Sequence, residues 1–197
     1  MSATTIFSRA AFPTGPAEVG TAIRAPHPRF LPGTRVATPS GPQAIETLSN
    51  GDMLATRDGA MPIVRIGFDT TARADAALHR EMWPIRVPVG SLGNPAPLRL
   101  RADQRVVLEG EQVLEACNVA RVSVAVGDLL GLRGLMSERP LSDLRWFGLS
   151  LGGPALIRVE GALCEIDDGA AAVAARDCVR AAFAAMHAAG QPPLAVF

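Results

Sequence analysis

The feature that most limits what this chain can fold into is a succession of short apolar runs, each cut off by turn chemistry. The runs fall at residues 35–38, 53–56, 62–68, 84–87, 105–108, 113–116, 121–126, 145–150 and 155–159. Pro39-Ser40-Gly41, Asn50-Gly51, Asp58-Gly59 and Gly110 separate them, and Gly and Asn tolerate the positive φ of tight reversals. Segments of this length cannot form helices of ordinary size. Many short strands about 8–12 residues apart predict an all-β sandwich or barrel-like fold. The charged stretch 73–82 is expected to be a helical excursion between strands. One long helix is expected over 169–189, where Val179, Phe183 and Met186 make an apolar stripe and Gly190, Pro192 and Pro193 stop it. Asp167 and Asp168 stand ahead of it as expected N-terminal caps.

The ends read differently. Residues 1–28 carry Pro13, Pro16, Pro26 and Pro28 with Gly15 and Gly20 and show no sustained period, so they are expected to form a flexible lead-in. The expected organisation is this segment, a β domain over 29–168, and a C-terminal helix over 169–190. A chain of 197 residues, 48% hydrophobic, is long enough for one domain with a real core. With aromatics at 5%, that core must be aliphatic.

Composition excludes several functions. All 19 cationic side chains are Arg; there is no Lys and no Tyr. Schiff-base catalysis, a phosphate-binding lysine loop and a tyrosine general acid are therefore ruled out. The 19 cations meet 19 carboxylates, a balance that speaks against nucleic acid as partner. No uncharged apolar run reaches the roughly 18 residues of a membrane span; the nearest, 146–157, is interrupted by Gly152, Gly153 and Pro154. Without a secretory signal at the N-terminus the expected location is cytoplasmic. Cys117, Cys164 and Cys178 share no CxxC spacing and read as ordinary buried thiols, so no metal site and no cofactor is expected. The partner, if there is one, is expected to be a protein, and oligomeric state is open.

A weak internal echo lays residues 44–57 over 120–133, with Ala, Gly, Asp, Leu and Arg coinciding. Asp52 and Asp128, after the glycine in each copy, are expected to cap turns.

Two stretches are distinctive beyond their pattern. The first is Phe30-Leu-Pro-Gly-Thr-Arg-Val-Ala-Thr-Pro-Ser-Gly41, continuing through Asn50-Gly-Asp52 to Ile63-Val-Arg-Ile-Gly67. The second is Gly90-Ser-Leu-Gly-Asn94, followed by Leu98-Arg-Leu-Arg-Ala-Asp-Gln-Arg-Val-Val-Leu108. Together, over about 29–166, they resemble the Hint (hedgehog/intein) domain, in the bacterial group found outside conventional inteins. The resemblance implies a compact all-β fold with pseudo-two-fold symmetry, to which the C-terminal α-helix is added. It also implies a reaction. A Cys or Ser at the first position attacks the preceding carbonyl, and a Thr/Ser-x-x-His element protonates the leaving amine and steadies the oxyanion.

At the matching positions this chain departs from that pattern. The nucleophile position is Arg29, whose guanidinium has no useful nucleophilicity. The hydroxyl position is Arg101 and the histidine position is Gln104, which can donate a hydrogen bond but cannot transfer a proton near pH 7. Asp103 and Arg105 keep the family's residue types. Pro154 falls where these bacterial members often carry another histidine. His27, His79 and His187 lie elsewhere. The resemblance therefore implies a Hint domain without intact self-processing, serving as a scaffold or interaction module. Two alternatives stay open: residual autoprocessing through a non-standard nucleophile such as Thr34 or Cys164, and an unrelated β-rich binding domain.

Overall fold

The computed structural model describes residues 29–167 and 169–191. The expected lead-in over 1–28, with His27, lies outside these residues, as does Asp168. In chain order the described elements are β1 (Arg35–Val36), β2 (Gln43–Ala44), β3 (Met53–Thr56), β4 (Gly59–Pro62), β5 (Arg65–Thr71), α1 (Arg73–Leu78), β6 (Ile85–Val87), β7 (Leu98–Leu100) and β8 (Arg105–Glu109). There follow α2 (Glu111–Cys117), β9 (Arg121–Ala125), β10 (Met136–Ser137), β11 (Leu144–Ser150), β12 (Ala155–Val159), β13 (Ala162–Ile166), β14 (Ala172–Val173) and α3 (Arg176–Ala188). The fold is mostly β, as the run of short apolar segments requires.

A central sheet runs β14-β9-β8-β13-β12-β1-β2, with β3 and β4 joined to it through β12. Its middle strand shows why the order matters. All five residues of β13 are buried, so this strand is covered on both faces and reads as a continuous apolar run rather than an alternation. Strands β6 and β7 instead alternate buried, exposed, buried, and lay Ile85, Val87, Leu98 and Leu100 on one core. The long ribbon of β5 and β11 completes the molecule, and Phe30 stitches the parts together by bridging both Leu100 and Phe147.

A local correspondence between two halves of the chain is visible in the backbone hydrogen bonds. Thr34 N donates to Leu31 O at 3.2 Å and Ile45 N donates to Thr34 O at 2.9 Å; Gln104 N donates to Arg101 O and Val126 N to Gln104 O, both at 2.9 Å. Likewise Arg35 pairs with Ala44 as Arg105 pairs with Ala125. Thr34-Arg35-Val36 thus corresponds to Gln104-Arg105-Val106. The echo of 44–57 with 120–133 is a different register, and it fails: it lays the 3-10 turn Ile45–Thr47 on strand β9. The halves join their paired strands by connections of unequal length, so one constant sequence offset cannot superpose them.

Further expectations need correction. The apolar run 113–116 reads as a strand in the sequence but belongs to α2. Glu-Gln-Val-Leu-Glu-Ala-Cys is a good helix former, Val113 is its buried residue, and Asn118 ends it in the left-handed region at φ 54°. The C-terminal helix begins at Arg176 rather than 169 because Ala172–Val173 first adds a parallel strand to β9. Asp167 is accordingly no helix cap; its Oδ2 accepts from Ser150 Oγ at 2.7 Å and Leu151 N at 2.9 Å. Asp52 does cap its turn, accepting from Ser49 N at 2.8 Å, whereas Asp128 pairs with the Arg176 guanidinium.

Among the described residues, no helix is long and apolar enough to cross a membrane.

Candidate functional site

The site is built where Arg29, just ahead of the first turn, meets the second turn, whose Gln104 bonds β13. The first turn is led by Arg29, which is buried; its N donates to Phe147 O at 2.8 Å and its O accepts from Arg101 N at 3.1 Å. Position 29 is thus gripped on both sides by backbone. The second turn is Arg101-Ala102-Asp103-Gln104, closed by the Gln104 N to Arg101 O bond. The x-x spacing between residues 101 and 104 is therefore a β-turn that folds its last residue back beside its first. Arg29, Arg101 and Gln104, singled out from separate parts of the sequence, belong to one connected set of hydrogen bonds.

Each side chain has a distinct setting. Gln104 is fully buried, and its Nε2 donates to Arg105 O at 2.6 Å and Glu165 O at 3.2 Å; no group among the described residues bonds its Oε1. The Arg101 guanidinium is partly exposed and pairs with Asp103 at 3.1 Å. Pro154 is exposed ahead of β12 and stands outside this bonded set.

Cys164 joins the site from β13. It pairs across the sheet with Val106 and is wholly buried. Burial pushes its thiol up to about 12, and the Arg29 cation, the next cause, pulls it partly back. At neutral pH the sulfur therefore keeps its proton, and the expected buried thiol is what the fold holds there. Thr34 is buried in the first turn. His79 is exposed beside Glu81, and His187 is exposed near the end of α3.

The sequence reading missed Glu165. Its carboxylate is 1% exposed and fully engaged. Oε1 accepts from Gly169 N and Ala170 N, both at 2.6 Å, and from Ala171 N at 3.3 Å. Oε2 accepts from Ser123 Oγ and from Arg105 Nε, the latter at 3.2 Å. Since Gln104 bonds the backbone of the same residue, Glu165 positions the second turn from behind. The available signal was a lone carboxylate in the run Ala162-Leu-Cys-Glu-Ile166, which must find donors if buried.

The cysteines also need one correction. Cys117 and Cys178 are only partly buried, and the two thiols are neighbours. Among the described residues, no three His, Cys, Asp or Glu side chains gather as metal ligands.

Comparison with known proteins adds the following. The family pattern described as "Hint domain" matches residues 28–166. No curated protein matches the chain. Among solved structures, the bacterial intein-like domain from Clostridium thermocellum is similar at 11% identity, covering 72% of this chain and 99% of its own, with a TM-score of 0.49. A class 3 split intein, AceL NrdHF, is similar at 12% identity, covering 73% of this chain and 99% of its own, with a TM-score of 0.46.

Proposed function

Because the chain belongs to the Hint domain family, we propose that it is a member that keeps the fold without the self-processing reaction, serving as a scaffold or protein-interaction module. The observation that carries this reading is the junction of Arg29 with the 101–104 turn, through Arg29 O and Arg101 N at 3.1 Å. The resemblance assigns a nucleophile, a hydroxyl and an imidazole to these positions. A guanidinium cannot form the ester or thioester that the acyl shift requires, and it stays protonated at working pH. A carboxamide at 104 cannot pass a proton to a leaving amine. Autoprocessing through Cys164 would need a thiolate, and burial holds that sulfur protonated up to about 12.

The test uses the full chain with a reporter protein fused ahead of Met1, incubated with a small thiol or with hydroxylamine and followed by intact mass. The expected outcome is an unchanged mass; release of a fragment ending near residue 28 would overturn the reading. A companion variant combines Arg29→Cys, Arg101→Thr and Gln104→His. It is expected to release the reporter under the same conditions, because it returns the three groups to one connected set of hydrogen bonds.

A further inference from the structure

We infer that Cys117 and Cys178 form a redox-responsive dithiol whose oxidation to a disulfide locks the C-terminal helix α3 onto α2. The inference is independent of whether the acyl shift is lost, because α3 lies beyond the residues that match the family.

The two helices run side by side in opposite directions. At the start of α2, a side-chain carbon on Gly110 would lie 3.3 Å from Met186 Cε, in the second half of α3. At the end of α2, Cys117 meets Cys178, in the first turn of α3. From 110 to 117 and from 186 back to 178 an α-helix advances about 10–12 Å in each case. Both contacts are thus satisfied by one antiparallel pairing, and Cα atoms of the two helices approach within 8 Å. Val113 of α2 and Val179, Phe183 and Met186 of α3 are buried, so the seam is apolar along its length.

Cys178 Sγ donates to Ala175 O at 3.1 Å. Burial, together with the neighbouring Cys178, pushes the Cys117 thiol up to about 12. Cys117 therefore keeps its proton at neutral pH and takes the second, resolving step, with Cys178 attacking first; both thiols are partly open to solvent, unlike Cys164.

The oxidant is a small-molecule disulfide such as glutathione disulfide. Cys178, losing its proton to solvent, attacks one oxidant sulfur; the oxidant S–S bond breaks and one thiol leaves. Cys117 then loses its proton and attacks the Cys178 side of the mixed disulfide, releasing the second thiol. Overall two protein thiols become one disulfide, and the two electrons they give up reduce the oxidant to two thiols.

The lock adds to the apolar stripe, to the Arg176–Asp128 ion pair and to Arg180, whose Nη1 donates to Asp128 O at 2.5 Å and Leu130 O at 3.2 Å. The test treats the folded full chain with glutathione disulfide, followed by peptide mapping without reduction and by thermal melting. The expected result is a linked pair of peptides carrying Cys117 and Cys178, reversal by dithiothreitol, and melting raised by about 5–10 °C over the reduced protein. C117S should leave a stable glutathione adduct on Cys178, and C178S should leave Cys117 unmodified. Separate glutathione adducts on the wild-type protein, or links only between molecules, would overturn the pair. A Cys117–Cys178 link with no rise in melting temperature would overturn the lock.

Discussion

Glu165→Ala is the substitution that best exposes how the site is supported. The wild-type carboxylate, 1% exposed, gathers three backbone amides on one oxygen and Ser123 with Arg105 on the other. Removing one partner of a buried ion pair costs about 3–5 kcal/mol, because the other charge is left without compensation. Here Arg105 is 23% exposed, and water can reach it. Residues 169–171 are also partly open, so water replaces some of the lost acceptor. The lower end applies: about 3 kcal/mol, or a fall in melting temperature of about 6–12 °C for a chain of this size. Urea unfolding at pH 7 measures the loss directly. Hydrogen exchange at the amides of 169, 170 and 171 should accelerate in the same variant. Glu165→Gln should lie between, since its carbonyl oxygen can still accept from those amides while its NH2 opposes the Arg105 guanidinium. A loss below about 1 kcal/mol for Glu165→Ala, with exchange unchanged at 169–171, would refute the reasoning.

Three further outcomes follow from the packing and the ionisation of the core. Gly161→Ala should destabilise by about 2 kcal/mol or more, because position 161 sits at φ +81° and its new carbon would come to 2.9 Å from Pro95 Cδ and 3.1 Å from Gly93 O; differential scanning calorimetry checks it. Native Cys164 should resist alkylation at pH 8.5 by about 10³-fold relative to the same thiol in urea, read by peptide mapping. The same thiol makes stability fall as pH climbs. Its ordinary value of 9.0 is raised to about 12 in the fold, so between those values the unfolded chain has released a proton that the native state still binds. The slope contributed by this one group approaches about 1.4 kcal/mol per pH unit, measurable by urea titrations from pH 8 upward.

Strands stood out where their local pattern was self-sufficient. Met53–Thr56 and Ala155–Val159 lie where their apolar runs put them, and the charged stretch after Ala72 is helical as expected. Residues 113–116 misled because four residues with one buried position look alike as strand or helix, and the choice fell to Gly110 and Asn118 at the ends. The start of the last helix misled for the opposite reason. An alanine-rich stretch favours helix locally, yet β9 offers Ala172–Val173 an open edge, and pairing there wins. Arg29, Arg101 and Gln104 were legible as a set through the resemblance alone; no periodicity marks them. Glu165 was hidden because its partners, Arg105, Ser123 and the amides of 169–171, come from three separate segments.

By itself the sequence determined the class of fold. Short apolar runs closed by Gly, Asn and Pro can bury their faces only as strands of packed sheets, and that constraint acts over a few residues at a time. It also determined which chemistries are absent, since Lys and Tyr occur nowhere in the chain. Only the tertiary structure decided the true register of the two halves, the burial that keeps Cys164 protonated, and the meeting of Cys117 with Cys178. These depend on distances between residues far apart in the chain. Such distances are set by how loops of unequal length let the strands close on one core, and no local pattern records them.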